Sequence, residues 1–124
     1  MQWLAVALGG ALGALGRYWV SVFTYPIMEN RFPLATLIVN VIGSFLIGVF
    51  YVLIIEKGLI DPAWRNVLMA GFLGAFTTFS TFSLDALNLW QNGHTVTALI
   101  YIGLSVVAGL VSVAVAVHFS LRIF

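Results

Sequence analysis

The chain has 124 residues, of which 62% are hydrophobic and 7% are charged. Soluble domains carry about 25% charged residues, so this composition excludes an ordinary soluble fold. The formal net charge of +1 gives no sign of a nucleic-acid partner. The absence of cysteine excludes a disulfide framework and a thiolate metal site. The sequence contains no evident nucleophile–base pair or metal-ligating cluster, so we expect no enzymatic activity.

Long apolar runs predict the fold class. A helix that spans a membrane needs about 20 predominantly apolar residues. Four segments meet this requirement, at about residues 3–25, 34–55, 67–89 and 96–121. The pattern predicts an all-α membrane protein in which residues 1–124 form a single four-helix transmembrane domain. The first run is too long for a signal peptide and follows no basic segment, so we expect it to be retained.

The connectors hold most of the charge and turn-forming residues. They read "PIMENRFP", "EKGLIDPAWR" and "WQNGHT". Asp61 directly before Pro62 predicts an N-cap with proline at the first helical position. With four spans, Lys57, Arg65 and Arg122 fall on one side of the membrane. The other side holds Arg31, with Arg17 near the end of the first span. This small difference is a weak positive-inside signal and permits insertion in both orientations.

Small residues recur on three of the predicted spans. They are Gly9, Gly13 and Gly16 on the first, Gly43 and Gly48 on the second, and Gly103, Ser105, Gly109 and Ser112 on the fourth. Small residues let helix backbones approach closely in lipid. We interpret most of these glycines as packing seams. Seams on several helices indicate assembly beyond a monomer.

Arg17 and Asn40 are polar residues inside apolar spans. Arg17 lies near the end of the first span, where it could extend to the headgroups or attract anions at the mouth of a polar pathway. Asn40 lies within the second span. Its amide either bonds to a neighbouring helix or offers two N–H donors to an anion.

Two further polar features lie on the third and fourth spans. Asp85 is the only acid inside a span. A proton-coupled transporter would need such a carboxylate, but a helix-end acid near the interface is the interpretation we prefer. Tyr101, Ser105 and Ser112 share one face of the fourth span. These hydroxyls could bond to their own helix, although a row of three favours a polar track.

The segment "GAFTTFSTFS" in the third span concentrates hydroxyl groups in an apolar setting. On a helix, Thr77, Ser80 and Thr81 share a face, while Phe79 and Phe82 present neighbouring rings. Glycines at 71 and 74 precede them. A break near residues 74–78 would free backbone carbonyls that protein or an ion must satisfy. The alternative is an unbroken helix whose hydroxyls bond to the preceding turn, and we favour the break.

Three motifs together resemble those of the Fluc (CrcB) fluoride channels of bacteria. They are "GGALGALGRY", "TLIVNVIGSFLIG" and "GFLGAFTTFSTFS", and the resemblance covers all four spans. It implies a dual-topology homodimer of antiparallel four-helix subunits in the bacterial inner membrane. It implies passive fluoride export through two pores per dimer, and a third helix broken around one central structural sodium ion.

The resemblance also implies site residues. The carbonyls of Gly74 and Thr77 would hold the sodium ion. The fluoride pathway would include the following residues: Arg17, Asn40, Phe79, Ser80, Thr81, Phe82, Tyr101 and Ser105. This chain departs from the family where Asp85 replaces glutamate and where Ala75 replaces glycine. Gly109 also stands where some relatives have a hydroxyl residue, and Ser112 could take the place of that hydroxyl.

Two other classes remain open at this point. One is a small four-helix proton-coupled multidrug exporter, which would need a central protonatable carboxylate, whereas Asp85 is off-centre. The other is a membrane assembly subunit that transports nothing. Besides fluoride, sodium and membrane lipid, we expect a second copy of the chain as partner.

Overall fold

The computed structural model describes residues 1–25 and 32–124, nearly all of them helical. Helix α1 comprises Gln2–Thr24. Helix α2 comprises Leu34–Tyr51 and continues as a π-helical segment, Val52–Glu56. Most of the predicted first connector, with Arg31, lies outside the described residues.

The third span consists of several pieces. A π-helical segment, Asn66–Leu73, leads into the single turn α3, Gly74–Phe76. Helix α4 comprises Phe79–Gln91. Between α3 and α4 the backbone is extended, with φ −88° and ψ 162° at Thr77 and φ −154° and ψ 123° at Thr78. The last helix, α5, comprises Thr95–Ile123.

Within the described residues, four spans are long and apolar enough to cross a membrane, and they cover Gln2–Thr24, Leu34–Glu56, Asn66–Gln91 and Thr95–Ile123. Each boundary predicted from the sequence lies within two residues of the corresponding boundary in the structure. The predictions of an all-α fold and of four spans are therefore confirmed, and the chain is a multi-pass membrane protein. At most 28% of the most apolar window of any span is buried within the subunit, so most of the apolar surface is left for lipid or other chains.

Local sequence explains how two connectors form. The carboxylate of Asp61 accepts a hydrogen bond from the Ala63 N–H at 2.9 Å, as expected of an N-cap residue. Helix α4 ends in a Schellman motif, in which His94 N–H donates to Leu89 C=O and Gly93 N–H donates to Trp90 C=O. Gly93 has φ +84°, a left-handed conformation that glycine adopts without a Cβ penalty.

Glycines bring α1 against the π-helical segment of the third span. A Cβ at Gly9 would lie 2.6 Å from the carbonyl oxygen of Val67, and one at Gly13 would collide with the carbonyl of Phe72. Neither backbone contact leaves room for a methyl group. The first-span glycine motif is therefore a packing seam, as predicted.

Helix α2 carries two further close approaches. A Cβ at Gly48 would lie 2.8 Å from the Ala116 Cβ on α5, and one at Gly43 would collide with the Thr77 side chain. These contacts confirm Gly43 and Gly48 as packing glycines. Gly103 differs, because a Cβ there would meet no described atom within 4 Å.

Candidate functional site

The carboxamide of Asn40 pairs with both polar groups of the Thr78 peptide backbone. Asn40 Oδ1 accepts a bond from Thr78 N–H at 2.8 Å, and Asn40 Nδ2 donates to Thr78 C=O at 3.0 Å. The two bonds replace the helical partners that an extended residue loses inside a membrane. One N–H of Asn40 is therefore used in a bond to a neighbouring span, in agreement with the first of the two interpretations, and at most one is left for an anion.

The carbonyls of Gly74 and Thr77 have lost their usual helical donors. In an α-helix, each C=O accepts from the N–H four residues later. The N–H of Thr78 donates instead to Asn40, and the N–H of Thr81 donates to the Thr78 hydroxyl at 3.2 Å. The hydroxyl of Thr77 donates to Leu73 C=O at 2.9 Å, so this side chain bonds to its own preceding turn.

Arg17 reaches the same region from α1. Its Nε–H donates to Ala75 C=O at 3.2 Å. The guanidinium carries four further N–H donors, and it lines a small cavity of about 40 Å³. Thr36, Thr78 and Thr81 are among the other residues around that cavity. Arg17 therefore makes a hydrogen bond within the protein and does not extend only toward the headgroups.

A larger cavity of about 340 Å³ opens on one side of the subunit between α2 and the third span. Its lining includes Asn40, Ser44, Gly74, Thr77 and Phe79. The Phe79 side chain is 79% exposed in the subunit. Gly74 and Thr77, whose carbonyls lack their helical donors, thus border one open, partly polar surface together with the exposed ring of Phe79.

Aromatic rings continue from Phe79 toward α5. The ring centroids of Phe79 and Phe82 are 5.8 Å apart, at an interplanar angle of 47°. Phe82 and Tyr101 are 5.2 Å apart, and Tyr101 also meets the Phe32 ring edge-on at 5.5 Å. Tyr101 has no exposed surface. The predicted neighbouring rings of Phe79 and Phe82 are confirmed, and Tyr101 extends their row.

Asp85 lies at the end of this row and accepts two hydroxyl hydrogen bonds. Its Oδ2 accepts from Thr36 Oγ1 at 2.8 Å and from Tyr101 at 3.3 Å. The carboxylate therefore links α2, α4 and α5. The interpretation of Asp85 as an acid near the interface does not account for these interhelical contacts.

The remaining predicted hydroxyl residues are less closely grouped. Ser80 is exposed, and its Oγ lies 3.4 Å from the Thr78 hydroxyl oxygen. Ser105 Oγ is buried and has no hydrogen-bond partner among the described residues. A Cβ at Gly109 would lie 3.5 Å from Ser44 Oγ, so α2 places a hydroxyl beside the position where α5 lacks one.

The structure thus brings most of the predicted residues to one region, and it adds two that the sequence reasoning missed. Thr36 binds the carboxylate of Asp85, and Thr78 bonds to Asn40 with its backbone and to Thr81 with its hydroxyl. Thr36 opens the motif "TLIVNVIGSFLIG", four residues before Asn40. That helical spacing was the signal that could have placed both side chains near one face.

Comparison with known proteins gives an independent result. The family described as "CrcB-like protein, Camphor Resistance (CrcB)" matches residues 4–117. A protein of Saccharophagus degradans named fluoride-specific ion channel FluC is 60% identical over 93% of this chain and 86% of its own length. Proteins with the same name from Acidobacterium capsulatum and Hahella chejuensis are each 46% identical, over 91% and 90% of this chain and 90% and 88% of theirs.

The matched region overlaps all four spans and includes every residue of the candidate site. The similar proteins are named as ion channels, so the family is one of channels and not of enzymes. The match covers far more than half of the chain, and its residues include the glycine seam, the Asn40–Thr78 pair and the row of aromatic rings. The chain belongs to the CrcB family.

Proposed function

We propose that this protein is a fluoride-selective channel that exports fluoride passively across the bacterial inner membrane. The observation that carries the proposal is 60% identity, over 93% of the chain, to a protein named fluoride-specific ion channel. The site supports it with hydroxyl, amide and guanidinium donors along an otherwise apolar bundle.

We propose that the working form is an antiparallel dual-topology homodimer with two pores. The subunit alone leaves Phe79 exposed and the 340 Å³ cavity open, so neither encloses an ion by itself. A second copy packed on this surface would close both. The nearly even distribution of cations along the sequence is compatible with opposite orientations of the two copies.

A structural sodium ion at the centre of the dimer fits the residues present. The third span would act as a broken helix, and Gly74 and Thr77 would hold the ion by their carbonyl oxygens. Hard cations favour oxygen ligands, and the helical donors to these two carbonyls are used elsewhere. A bound sodium ion would supply positive charge and would hold the two third spans together. It takes no part in a conduction step.

Fluoride conduction requires donors that replace the ion's water. Small anions are strongly hydrated, and an unpaired charge in an apolar passage is very costly. The pathway would use hydroxyls of Ser80, Thr81, Tyr101 and Ser105, the free Asn40 N–H and the charge of Arg17. Tyr101 and Ser105 differ, because the Tyr101 hydroxyl is bound to Asp85 whereas the Ser105 oxygen has no partner among the described residues.

The rings of Phe79 and Phe82 would supply weak contacts within the pathway. A phenyl ring is negative on its face and positive at its edge, so its edge can contact an anion. Such a contact binds and releases, as conduction requires. The tilted arrangement, 47° between the planes, gives the two rings different edges to present.

Flux from liposomes tests the function. Purified protein should release fluoride down its gradient, as measured with a fluoride electrode, with no proton gradient present. Equal chloride release would contradict selectivity. Flux that requires a proton gradient, or drug resistance without fluoride resistance in cells, would favour the exporter class instead. A total absence of flux would favour an assembly subunit.

A further inference from the structure

The geometry points to Asn40 as a positioning residue that holds the Thr78 peptide out of the helix and keeps the Gly74 carbonyl available for a cation. The inference rests on the proposed sodium site, and it assigns to Asn40 a task other than contact with the transported anion. The amide acts through Thr78 and does not itself bind the cation.

The first step of the argument is the two-point pairing. Asn40 accepts from Thr78 N–H at 2.8 Å and donates to Thr78 C=O at 3.0 Å. A side-chain amide has one acceptor and two donors on a planar group, so it can match a peptide unit as a neighbouring β-strand would. Thr78 has the extended backbone that presents both groups sideways, with φ −154° and ψ 123°.

The second step is competition for the Thr78 N–H. In a continuous helix this group would bond to the Gly74 carbonyl. With the N–H held by Asn40, the Gly74 oxygen stays without its helical donor, and Gly74 borders the open 340 Å³ cavity. Without the amide, the Thr78 N–H would have no fixed partner, so it would exchange faster and would compete with a cation for the Gly74 oxygen.

The third step is the fixed position of Asn40. Gly43, three residues later on α2, lies so close to the Thr77 side chain that a Cβ there would collide with it. Asn40 therefore faces Thr78 where α2 lies close to the third span. A longer or displaced amide cannot pair with both groups at once without separating the two elements.

The test combines Asn40→Leu with hydrogen–deuterium exchange of the Thr78 amide, followed by NMR in the purified, labelled protein. Loss of the two bonds should speed exchange by about tenfold. Sodium binding should also raise the melting temperature of the wild-type protein. The sodium concentration needed for half of that rise should be about tenfold higher in the variant. Asn88→Leu, at an exposed residue of α4, is the matched control and should change neither value.

Asn40→Gln covers the case in which the leucine variant does not fold, since it keeps an amide but moves it by one methylene. It should shift both values in the same direction by about threefold. Unchanged Thr78 exchange in the variant would overturn the positioning role. Faster exchange with an unchanged sodium response would overturn the link to Gly74. Wild-type protein that carries no fluoride would overturn the proposed function, while the Thr78 exchange would still decide the role of Asn40.

Discussion

The hydroxyl of Thr36 donates a 2.8 Å hydrogen bond to the carboxylate of Asp85, joining α2 to α4 across 49 positions of sequence. Apart from Glu56, the last residue of the second span, Asp85 is the only acid within the four described spans. An ionised carboxylate in a membrane interior is costly unless donors surround it. The Thr36 bond, with the 3.3 Å bond from Tyr101, therefore stabilises both the charge and the packing of three helices.

Replacement of Thr36 by valine should destabilise the protein. Valine keeps the shape but removes the donor, and hydrogen bonds to charged groups contribute about 1.5–3 kcal/mol. We expect a loss of that size in the free energy of unfolding, measured by reversible denaturation in detergent. Thr97→Val, at a partly buried threonine near the start of α5, is the matched control. Equal effects of the two changes would contradict the assignment.

Phe79→Ile and Phe82→Ile should each slow fluoride flux, because isoleucine has no ring edge to offer an anion. Phe79→Ile should leave subunit stability nearly unchanged, since this ring is 79% exposed in the subunit. Phe82→Ile should also lower the melting temperature, because Phe82 packs on Tyr101 with centroids 5.2 Å apart.

Liposome flux and thermal melting measure the two effects separately. Phe119→Ile is the control, at an exposed ring on α5 away from the row of aromatics. Wild-type flux in both the Phe79 and Phe82 variants would remove these rings from the pathway.

Gly13→Ala should be strongly destabilising. The added methyl group would collide with the Phe72 carbonyl, and backbone cannot yield as a flexible side chain does. Overpacking costs about 1–3 kcal/mol, and we expect a loss in that range or above in the free energy of unfolding. Gly10→Ala tests the specificity, because a Cβ there would make an ordinary 3.7 Å contact with Gly71 C=O. Similar losses from both changes would show that helix propensity or lipid contacts, and not the seam, decide the result.

Arg17→Lys should lower both stability and flux although it keeps the charge. Lysine has no Nε–H at the position that now donates to Ala75 C=O at 3.2 Å, and its ammonium is a compact point charge. We expect a loss of about 1–3 kcal/mol and reduced fluoride release from liposomes. Arg122→Lys, in the last turn of α5, provides the control. If lysine at position 17 supported full flux, charge alone would account for the role of Arg17.

Periodicity and composition were sufficient for several features. Apolar runs located the spans to within two residues. The helical spacing of Phe79 and Phe82 placed their rings together, and Asp61 before Pro62 identified a cap. The glycine spacing in "GGALGALG" identified the α1 seam. Each of these patterns is formed by residues close together in the chain, so local physical rules identify it even where, as for the seam, the contacting partner is distant.

Contacts between distant segments were harder to foresee. The Asn40–Thr78 pair joins residues 38 positions apart, and the Arg17–Ala75 bond joins residues 58 apart. Asn40 was recognised as a buried amide in need of partners, but its spacing could not say which peptide it would meet. The same holds for Asp85, whose donors come from two other helices.

The sequence by itself determined that the chain crosses a membrane four times, because burying apolar side chains in lipid and satisfying backbone groups within helices are local requirements. It also placed the hydroxyl-rich segment between two stretches of apolar helix. Only the tertiary structure showed how the Gly74 carbonyl loses its helical donor, because that depends on an amide from another helix that accepts the Thr78 N–H. A hydrogen bond of this kind depends on distance and orientation in space, and neither is encoded in the spacing along one span.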